Sequence, residues 1–321
     1  MNEETIKHIA IRTIKTQASA ISELEHFIDD SFQKAVQLIL KAKGRLVISG
    51  IGKSAIIAQK ITATLNSTGT PALFMHAADA IHGDLGMIQK EDLVMVISKS
   101  GDSPEIKVLM PLLKNFGNLI IGMGGNLQSF LANNSDVFIN TTVQQEACPN
   151  NLAPTSSTTA QMVMGDALAV CLMEIKGFGT DDFARFHPGG ALGKKLYLRV
   201  SDLLSKNSIP SVSPEDAIKD VIVEITKNRL GAAAVINPSK EIFGVITDGD
   251  LRRMLEKNSD ITNLTAKDIM TLSPKKISGD ALAAEALELM RNFNVNQLLV
   301  VQDNSYVGIV HIQDIIREGI I

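Results

Sequence analysis

Between Arg45 and about residue 176, the chain alternates short, continuously apolar runs with segments of helical periodicity. Continuous apolar strands that alternate with helices are typical of a parallel sheet covered on both faces. The pattern therefore predicts an α/β fold, a doubly wound parallel five-stranded sheet, preceded by helices over residues 3–43. The predicted strands are 45–49, 72–76, 92–97, 118–122 and 136–140, and the predicted helices are 53–67, 103–115, 126–133 and 156–176.

An internal repeat begins after Lys195. Asp216-Ala-Ile resembles Asp280-Ala-Leu, and Gly244-Val-Ile-Thr-Asp-Gly-Asp matches Gly308-Ile-Val-His-Ile-Gln-Asp at the same offset. Each copy has the order helix–strand–strand–helix, which predicts a tandem α/β module. Because two copies are too few for a solenoid, we expect them to pair face to face.

Composition excludes several classes of protein. The formal net charge is −4, Trp is absent and there are two Tyr, which argues against a nucleic-acid partner. Cys148 and Cys171 form neither a disulfide framework nor a metal-ligand spacing. We see no cleavable leader and no apolar stretch near the ~18 residues of a membrane span. We therefore expect a soluble cytoplasmic protein without a membrane partner.

Hydroxyl-rich turns follow apolar runs at three places: Gly50–Ser54, Ser98–Ser103 and Thr155–Thr159. The first two lie at predicted strand-to-helix junctions, where backbone N–H groups and the helix dipole attract an anion. Because the carboxyl ends of parallel strands meet at one edge of the sheet, these turns should lie close together. We interpret them as a site for a phosphate monoester.

Other interpretations of these turns stay open. Gly50-Ile-Gly-Lys-Ser-Ala fits a loose dinucleotide motif, but the second predicted strand ends in Met75-His76 without the carboxylate that binds ribose. A Walker loop needs Gly where Val47 stands. The glycines could also serve only tight packing, and Ser103 could be only a helix N-cap.

Several polar residues near these turns are candidates for acid–base chemistry. Glu105 lies in the first turn of a predicted helix, and Glu146 lies in a loop. The candidate histidines are His76, His82 and His187. Neither cysteine has a neighbouring base in the sequence, so a nucleophile triad is not predicted.

The chain resembles the arabinose-5-phosphate isomerases, which join a sugar isomerase (SIS) domain to a pair of cystathionine β-synthase-type (CBS) domains. The resemblance covers essentially the whole chain and implies an SIS domain over 1–198 and CBS domains over 199–260 and 261–321. The motifs that carry it are Ser-Gly-Ile-Gly-Lys-Ser (49–54), Ser-Thr-Gly-Thr-Pro (67–71), His-Gly-Asp-Leu-Gly-Met (82–87), Glu-Ala-Cys-Pro (146–149), Leu-Ala-Pro-Thr-Ser-Ser-Thr (152–158), Met-Gly-Asp-Ala-Leu-Ala (164–169) and His-Pro-Gly-Gly-Ala-Leu-Gly (187–193).

The resemblance implies interconversion of D-ribulose 5-phosphate and D-arabinose 5-phosphate, which supplies 3-deoxy-D-manno-octulosonate (Kdo) for lipopolysaccharide or capsule. It implies no required cofactor, and a homotetramer in which His187 reaches a neighbouring subunit's active site. The implied catalytic residues are Lys53, Glu105, Glu146 and His187. The implied substrate-binding residues are Ser54, Gly69, Thr70, His82, Ser98, Ser100 and Ser103. His76 matches a position for an inhibitory zinc ion, and Thr247 and Asp250 match nucleotide-binding positions of CBS domains.

Three residues depart from the family pattern. Lys99 replaces the usual Asn, so we expect additional charge near the phosphate. Asp79 replaces a Glu and is one methylene shorter. His311 stands in the second CBS copy where the first has Thr247, so at most one adenine-nucleotide site is expected.

The reaction needs a proton to move between C1 and C2 through an enediol. We assign this transfer to Glu146, with a pKa raised by burial, and keep Glu105 as the alternative. Lys53 would stabilise the enediolate, and His187 or His82 would assist ring opening. Two other functions stay open: a non-catalytic phosphosugar sensor and an isomerase of another phosphosugar. The CBS pair is either a nucleotide-responsive regulator or an oligomerisation scaffold.

Overall fold

The computed structural model describes residues 3–204, 208–257 and 260–320. It divides into two compact units, Met1–Phe183 and Ala184–Ile321. The domain boundary expected at residue 198 stays a prediction.

The first unit contains one sheet and the helices that cover it. All five strands are parallel and lie in the order β2-β1-β3-β4-β5, which confirms the predicted doubly wound sheet. Short 3-10 helices lie at Glu23–Phe27 and Asp84–Met87. The strands are β1 (Leu46–Gly50), β2 (Ala72–His76), β3 (Leu93–Ile97), β4 (Ile120–Gly124) and β5 (Val137–Asn140). The helices are α1 (Glu3–Ser22), α2 (Asp30–Lys41), α3 (Lys53–Ser67), α4 (Ala77–Ala80), α5 (Pro104–Phe116), α6 (Phe130–Asn134), α7 (Ser156–Ile175) and α8 (Thr180–Phe186), the last of which crosses the unit boundary.

Both faces of this sheet are buried, as the continuous apolar strands predict. In β1, Leu46 and Ile48 belong to the core packed against α2, α3 and α7, whereas Val47 belongs to the core packed against α4, α5 and α6. Successive side chains of a strand point to opposite faces, so an all-apolar strand needs a cover on each side.

The helix α7 is, among the described residues, long and apolar enough to cross a bilayer by length and composition alone. Its residues Ala160, Met164, Leu168 and Leu172 are buried in the core beneath α3. This packing accounts for the apolar residues on the buried face of the helix, whereas Val170 and Ile175 are exposed.

The fourth strand and the following helix begin later than predicted. Strand β4 starts at Ile120 and includes Gly122 and Gly124. Gly124 is required there because the neighbouring segment is close: a Cβ at this position would lie 2.4 Å from the carbonyl oxygen of Ser98. Helix α6 starts at Phe130, because the Ser129 hydroxyl accepts a hydrogen bond from the N–H of Ala132 and caps it there. The glycines signal close approach between neighbouring segments rather than a turn.

An ion pair joins β1 and β3 at the amino edge of the sheet. The Asp92 side chain is 2% exposed and lies 2.9 Å from the Arg45 guanidinium. It also accepts hydrogen bonds from the backbone N–H groups of Arg45 and Gln89. Burial alone would raise the pKa of Asp92, but these donors outweigh it and lower the pKa.

The second unit contains two copies of the predicted repeat. The strands form one sheet in the order β6-β7-β8-β9 and another in the order β10-β11-β12. The helices are α9 (Ala191–Tyr197), α10 (Val200–Leu204), α11 (Ile218–Asn228), α12 (Asp248–Lys257), α13 (Ala266–Ile269), α14 (Ala283–Phe293) and α15 (Ile312–Arg317). The strands are β6 (Ser211–Val212), β7 (Ala232–Ile236), β8 (Ile242–Thr247), β9 (Thr271–Leu272), β10 (Lys276–Ser278), β11 (Gln297–Gln302) and β12 (Ser305–His311). The order helix–strand–strand–helix recurs as α11-β7-β8-α12 and α14-β11-β12-α15.

The two copies share an apolar core. Ala232 and Ala234 of the first copy pack in one cluster with Leu299 and Tyr306 of the second. Tyr306 is 1% exposed, and its hydroxyl donates a 2.8 Å hydrogen bond to the carbonyl oxygen of Pro210 in the first copy. The copies therefore pack face to face, as the two-copy repeat predicts.

We expect Tyr306→Phe to lower the free energy of unfolding of the second unit by about 1 kcal/mol, because it removes one of the two donors to the Pro210 carbonyl oxygen, which keeps its hydrogen bond from the N–H of Ala234. Urea unfolding of the full chain, followed by circular dichroism, measures the change. The other tyrosine, Tyr197, is 50% exposed and provides the matched control, Tyr197→Phe, which should change stability by less than about 0.5 kcal/mol. Equal effects of the two substitutions would contradict a special role for the Tyr306 hydroxyl.

Candidate functional site

The polar turns converge at the carboxyl edge of the parallel sheet. Gly50–Ser54 follows β1 and Ser98–Ser103 follows β3, and these two strands are neighbours. The loop that contains Glu146 lies between β5 and α7. Two side-chain contacts join these segments: the Ser54 hydroxyl donates to Gln161 of α7 at 3.2 Å, and Lys99 reaches Glu146. The convergence expected from the sequence is thus present.

The Ser98–Ser103 segment folds into a tight loop. Gly101 has φ +68°, and a Cβ there would lie 2.3 Å from the Ser129 hydroxyl, so only glycine fits. The Ser98 hydroxyl accepts a hydrogen bond from the N–H of Gly101, and the Ser100 hydroxyl accepts one from Asp102. The three serines therefore surround a turn that leads directly into α5, as predicted.

Several hydroxyls at this edge are buried without a hydrogen-bond partner among the described residues, including those of Thr141, Ser156 and Ser157. Two of them lie next to the first two hydroxyl-rich turns: Ser49, near the end of β1, and Ser103, the N-cap of α5. Ser103 occupies the N-cap position, but its side chain makes no capping hydrogen bond. Capping alone therefore does not explain this serine. Buried polar groups without a partner are uncommon, and a ligand that accepts hydrogen bonds would satisfy these two.

Lys53 and Ser54 begin α3 after the glycine turn. Gly52 has φ +57°, a conformation that glycine adopts without strain. Lys53 is exposed at the first helical position, and Ser54 is half-buried beside α7. Both residues thus stand at the helix N-terminus that faces the carboxyl edge of the sheet.

Glu146 has a fully buried carboxylate held by donors from α7 and from the serine loop. Its Oε2 accepts hydrogen bonds from the N–H of Thr155 at 2.7 Å, the Thr155 hydroxyl at 3.0 Å and the N–H of Ser157 at 3.2 Å. Its Oε1 lies 2.7 Å from the Lys99 ammonium. The third hydroxyl-rich segment therefore holds a carboxylate of the protein itself.

The pKa of Glu146 departs from the expected direction. Burial by itself would raise it, but the Lys99 ammonium and the hydrogen bonds from Ser157 and Thr155 outweigh burial and lower it to about 2. The expectation of a raised pKa is wrong for the chain without a ligand, because it considered burial and not the donors. Sequence reasoning also placed Lys99 at the phosphate only, whereas the structure pairs it with Glu146.

The remaining candidates of the first unit lie around the same strands. Glu105 is half-buried in the first turn of α5, and His82 is exposed in the turn after α4. His76 ends β2, and its Nδ1 lies 3.6 Å from the Asp79 carboxylate. The shorter Asp79 thus still faces His76.

Among the described residues, His76 and Asp79 do not have a third ligand for a zinc ion. The buried Nδ1 of His76 has no hydrogen-bond partner among the described residues. However, the described part of the chain contains no group of three His, Cys, Asp or Glu side chains able to hold a metal ion. Because protein zinc sites use at least three such ligands, His76 and Asp79 by themselves do not fit one.

Gly69 and Thr70 lie at the opposite edge of the sheet. They follow α3 and precede β2, at its amino end, and α3 spans 15 residues or about 22 Å from the serine edge. Lys176 fixes them there by donating to the Thr70 hydroxyl at 2.7 Å and to the Gly69 carbonyl oxygen at 3.2 Å. One chain therefore does not bring these two residues to the serine loop.

His187 belongs to the second unit, between α8 and α9. It is half-buried, and its carbonyl oxygen accepts a hydrogen bond from the N–H of Gly190. A Cβ at Gly193 would lie 2.2 Å from the same carbonyl oxygen, so this glycine is required by the close turn. The turn-rich His-Pro-Gly-Gly segment is thus a compact bend that leads into α9.

The predicted nucleotide residues line a cavity of about 270 Å³ between the two copies of the repeat. The Asp250 carboxylate accepts hydrogen bonds from the N–H and the hydroxyl of Thr247, and it contacts Arg253 and Thr271. Burial would raise the pKa of Asp250, but these donors outweigh it and lower the pKa. Asp250 is therefore an ionised side chain at the wall of the cavity.

The second copy reproduces only part of this arrangement. Asp314 accepts a hydrogen bond from the N–H of His311, as Asp250 does from Thr247. The His311 ring accepts a hydrogen bond from the N–H of Gln313, and burial lowers its pKa. An imidazole thus replaces the hydroxyl of the first copy.

The parallel sheet with its polar carboxyl edge and the tandem repeat define an SIS domain followed by a CBS pair. Residues 38–171 match the SIS domain family, and residues 200–257 and 266–320 match the CBS domain family. Arabinose 5-phosphate isomerase KdsD of Yersinia pestis is 43% identical over 97% of this chain and 95% of its own length. The enzyme of the same name from Pseudomonas aeruginosa is 44% identical over 98% of this chain and 97% of its own length. The chain belongs to the arabinose 5-phosphate isomerase family.

A solved structure supports the assignment of the first unit. It comes from Escherichia coli CFT073, is a complex with arabinose 5-phosphate, and shares 39% sequence identity with a TM-score of 0.56. The match covers 59% of this chain and 100% of the chain in that structure.

Proposed function

We propose that this protein interconverts D-ribulose 5-phosphate and D-arabinose 5-phosphate through an enediol intermediate. The observation that carries the proposal is the buried, ionised carboxylate of Glu146 beside the serine loop. Family membership and the relative bound to arabinose 5-phosphate support the same substrate. The product would supply Kdo for lipopolysaccharide or capsule, in the cytoplasm.

The substrate's phosphate would bind the loop of Ser98, Ser100 and Ser103, together with Ser54. The unpartnered hydroxyls at this edge and the N-termini of α3 and α5 suit a phosphate monoester. Binding of the phosphate, which is remote from the reacting carbons, positions C1 and C2 against the acid–base groups.

Glu146 would take the proton from C1 of the ketose and return it to C2, while the hydroxyl proton of O1 passes to O2, and together these transfers convert the ketose through the enediol to the aldose. Lys53 would donate to the oxygen that becomes negative in the transition state. His187 or His82 would protonate and deprotonate the ring oxygen when the sugar ring of arabinose 5-phosphate opens. Proton transfer by a carboxylate requires no cofactor.

We also propose a homotetramer that shares its active sites. Gly69 and Thr70 lie at the edge opposite to the serine loop, so they can contact the same substrate only from another chain. His187 would likewise act in a neighbouring subunit.

Analytical ultracentrifugation measures the mass of the assembly and so tests the tetramer. Mixing Glu146→Gln chains with Gly69→Ala chains tests whether active sites are shared between subunits, because shared sites would partly restore activity in the mixture.

For the second unit we propose that the cavity at Thr247 and Asp250 binds an adenine nucleotide. Its support is the ionised Asp250 beside Arg253 at the cavity wall. Calorimetric titration of the full chain with AMP, ADP and ATP tests this, with Thr247→Val as the site variant. Absence of binding at millimolar concentration would favour the oligomerisation scaffold.

Incubation with ribulose 5-phosphate in deuterium oxide, followed by proton NMR, tests the reaction. Arabinose 5-phosphate with deuterium at C2 would support both the activity and enediol exchange. Product without deuterium would keep the isomerase and indicate a shielded proton transfer. Binding without turnover would place the protein among phosphosugar sensors and overturn the proposal.

A further inference from the structure

We propose that Lys99 couples the phosphate site to Glu146: its ammonium pairs with Glu146 in the free protein and turns to the phosphate when substrate binds. Substrate would thereby release Glu146 as a stronger base. This inference rests on the proposed function of the serine loop and of Glu146.

The geometry places Lys99 between the two groups. It lies inside the serine loop, between Ser98 and Ser100, and its Nζ is 2.7 Å from Oε1 of Glu146. The Lys99 backbone is fixed, because its carbonyl oxygen accepts a hydrogen bond from the N–H of Gly125. Its side chain is 43% exposed, whereas that of Glu146 is fully buried, so only the lysine side chain is free to turn.

The charges favour this transfer. A phosphate monoester dianion in the serine loop carries twice the charge of the Glu146 carboxylate and attracts the same ammonium. Glu146 would stay in place without Lys99, because Thr155 and Ser157 donate three hydrogen bonds to its other oxygen. The motion therefore changes the basicity of Glu146 and leaves its position unchanged.

When the Lys99 ammonium turns away, the pKa of Glu146 would rise, and the carboxylate would become a stronger base for the proton transfer. With Lys99 in contact, the carboxylate has a pKa of about 2 and is a weak base at neutral pH. Without it, burial opposes the charged form more effectively and the pKa rises. The stronger base would thus form only when substrate occupies the site.

The groups that act on this carboxylate come from its own loop, the serine loop and α7. In its own loop, the Cys148 thiol interacts electrostatically with Glu146 and accepts hydrogen bonds from the N–H groups of Leu152 and Ala153. The first turn of α7 carries no acidic side chain. Of these partners, Lys99 is the one that belongs to the phosphate loop.

The test measures the pKa of Glu146 by carbon-13 NMR of labelled glutamate, with its signal assigned by loss in Glu146→Gln. Sulfate is the probe, because it keeps its second negative charge to far more acidic pH than a phosphate monoester does, and its own protonation at the acid end of the titration is measured in parallel and included in the fit. Saturating sulfate should raise the pKa of Glu146 by at least one unit in the full-length protein. By linkage, protonation of Glu146 should then tighten sulfate binding at least tenfold.

Two substitutions separate the charge of Lys99 from its packing. Lys99→Met should raise the pKa of Glu146 without sulfate and abolish the further shift, whereas Lys99→Arg should retain both properties. A wild-type pKa that does not move with sulfate, or a protein that does not bind sulfate, would overturn the proposal even if Lys99→Met failed to fold. A sulfate-dependent shift in a protein that does not isomerise ribulose 5-phosphate would contradict the proposed function and leave the coupling intact.

Discussion

Glu146→Gln is expected to lower kcat for the isomerisation by about 10²- to 10⁴-fold, the range that general acid–base catalysis supplies. Glutamine keeps the shape of the side chain but cannot accept the proton from C1. KM should not rise, and the coupling through Lys99 should lower it by up to about tenfold, because a neutral side chain leaves the ammonium to the phosphate. Initial rates at saturating and limiting ribulose 5-phosphate measure both quantities.

Glu105→Gln is the matched variant, because Glu105 is the alternative base and lies half-buried at the start of α5. If Glu146 carries the proton, Glu105→Gln should retain much more activity than Glu146→Gln. Retained turnover in Glu146→Gln together with a loss in Glu105→Gln would transfer the role to Glu105.

Asp92→Ala should lower the free energy of unfolding of the first unit by about 3 kcal/mol. This is the low end of the cost of breaking a buried ion pair, because the Arg45 side chain is 37% exposed and can still be hydrated. The substitution also leaves the backbone N–H groups of Arg45 and Gln89 without their acceptor. Urea unfolding at pH 7 measures the change.

The neighbouring substitution Glu91→Ala is the control for Asp92→Ala. Glu91 is exposed, so its loss should change stability by less than about 0.5 kcal/mol. Because the pKa of Asp92 is lowered in the folded protein, its contribution is complete above the ordinary carboxyl pKa and is lost as pH falls through the lowered value. The difference between wild type and Asp92→Ala should therefore shrink in acid, and a constant difference would contradict the ion-pair explanation.

Much of the first unit's fold could be predicted because its signals are local. The apolar runs that became β1, β2, β3 and β5 are continuous, and each is followed within a few residues by a turn or a helix start. The exception was β4, which was predicted over 118–122 but extends over Ile120–Gly124. The place of Gly122 and Gly124 in the strand depends on Ser135 and on the Ser98 carbonyl oxygen, which approach them only in the folded sheet.

The candidate site could be predicted in part. The order of strands placed Ser98, Ser103 and Glu146 near one edge, because each follows a strand. The same reasoning could have placed Gly69 and Thr70 at the other edge, since they precede β2, but the family resemblance grouped them with the serines. The Lys99–Glu146 pair had no local signal beyond an unusual lysine in the serine loop.

The sequence by itself determined the α/β class, the tandem repeat and the edge of the sheet that carries the hydroxyl turns. These follow from hydrophobic periodicity and chain direction, which are properties of neighbouring residues. Only the tertiary structure decided that Lys99 pairs with Glu146 and that the pKa of this carboxyl falls rather than rises. A pKa depends on the balance between burial and donors, and here the donors come from the loop after β3 and from the start of α7, which meet only after folding.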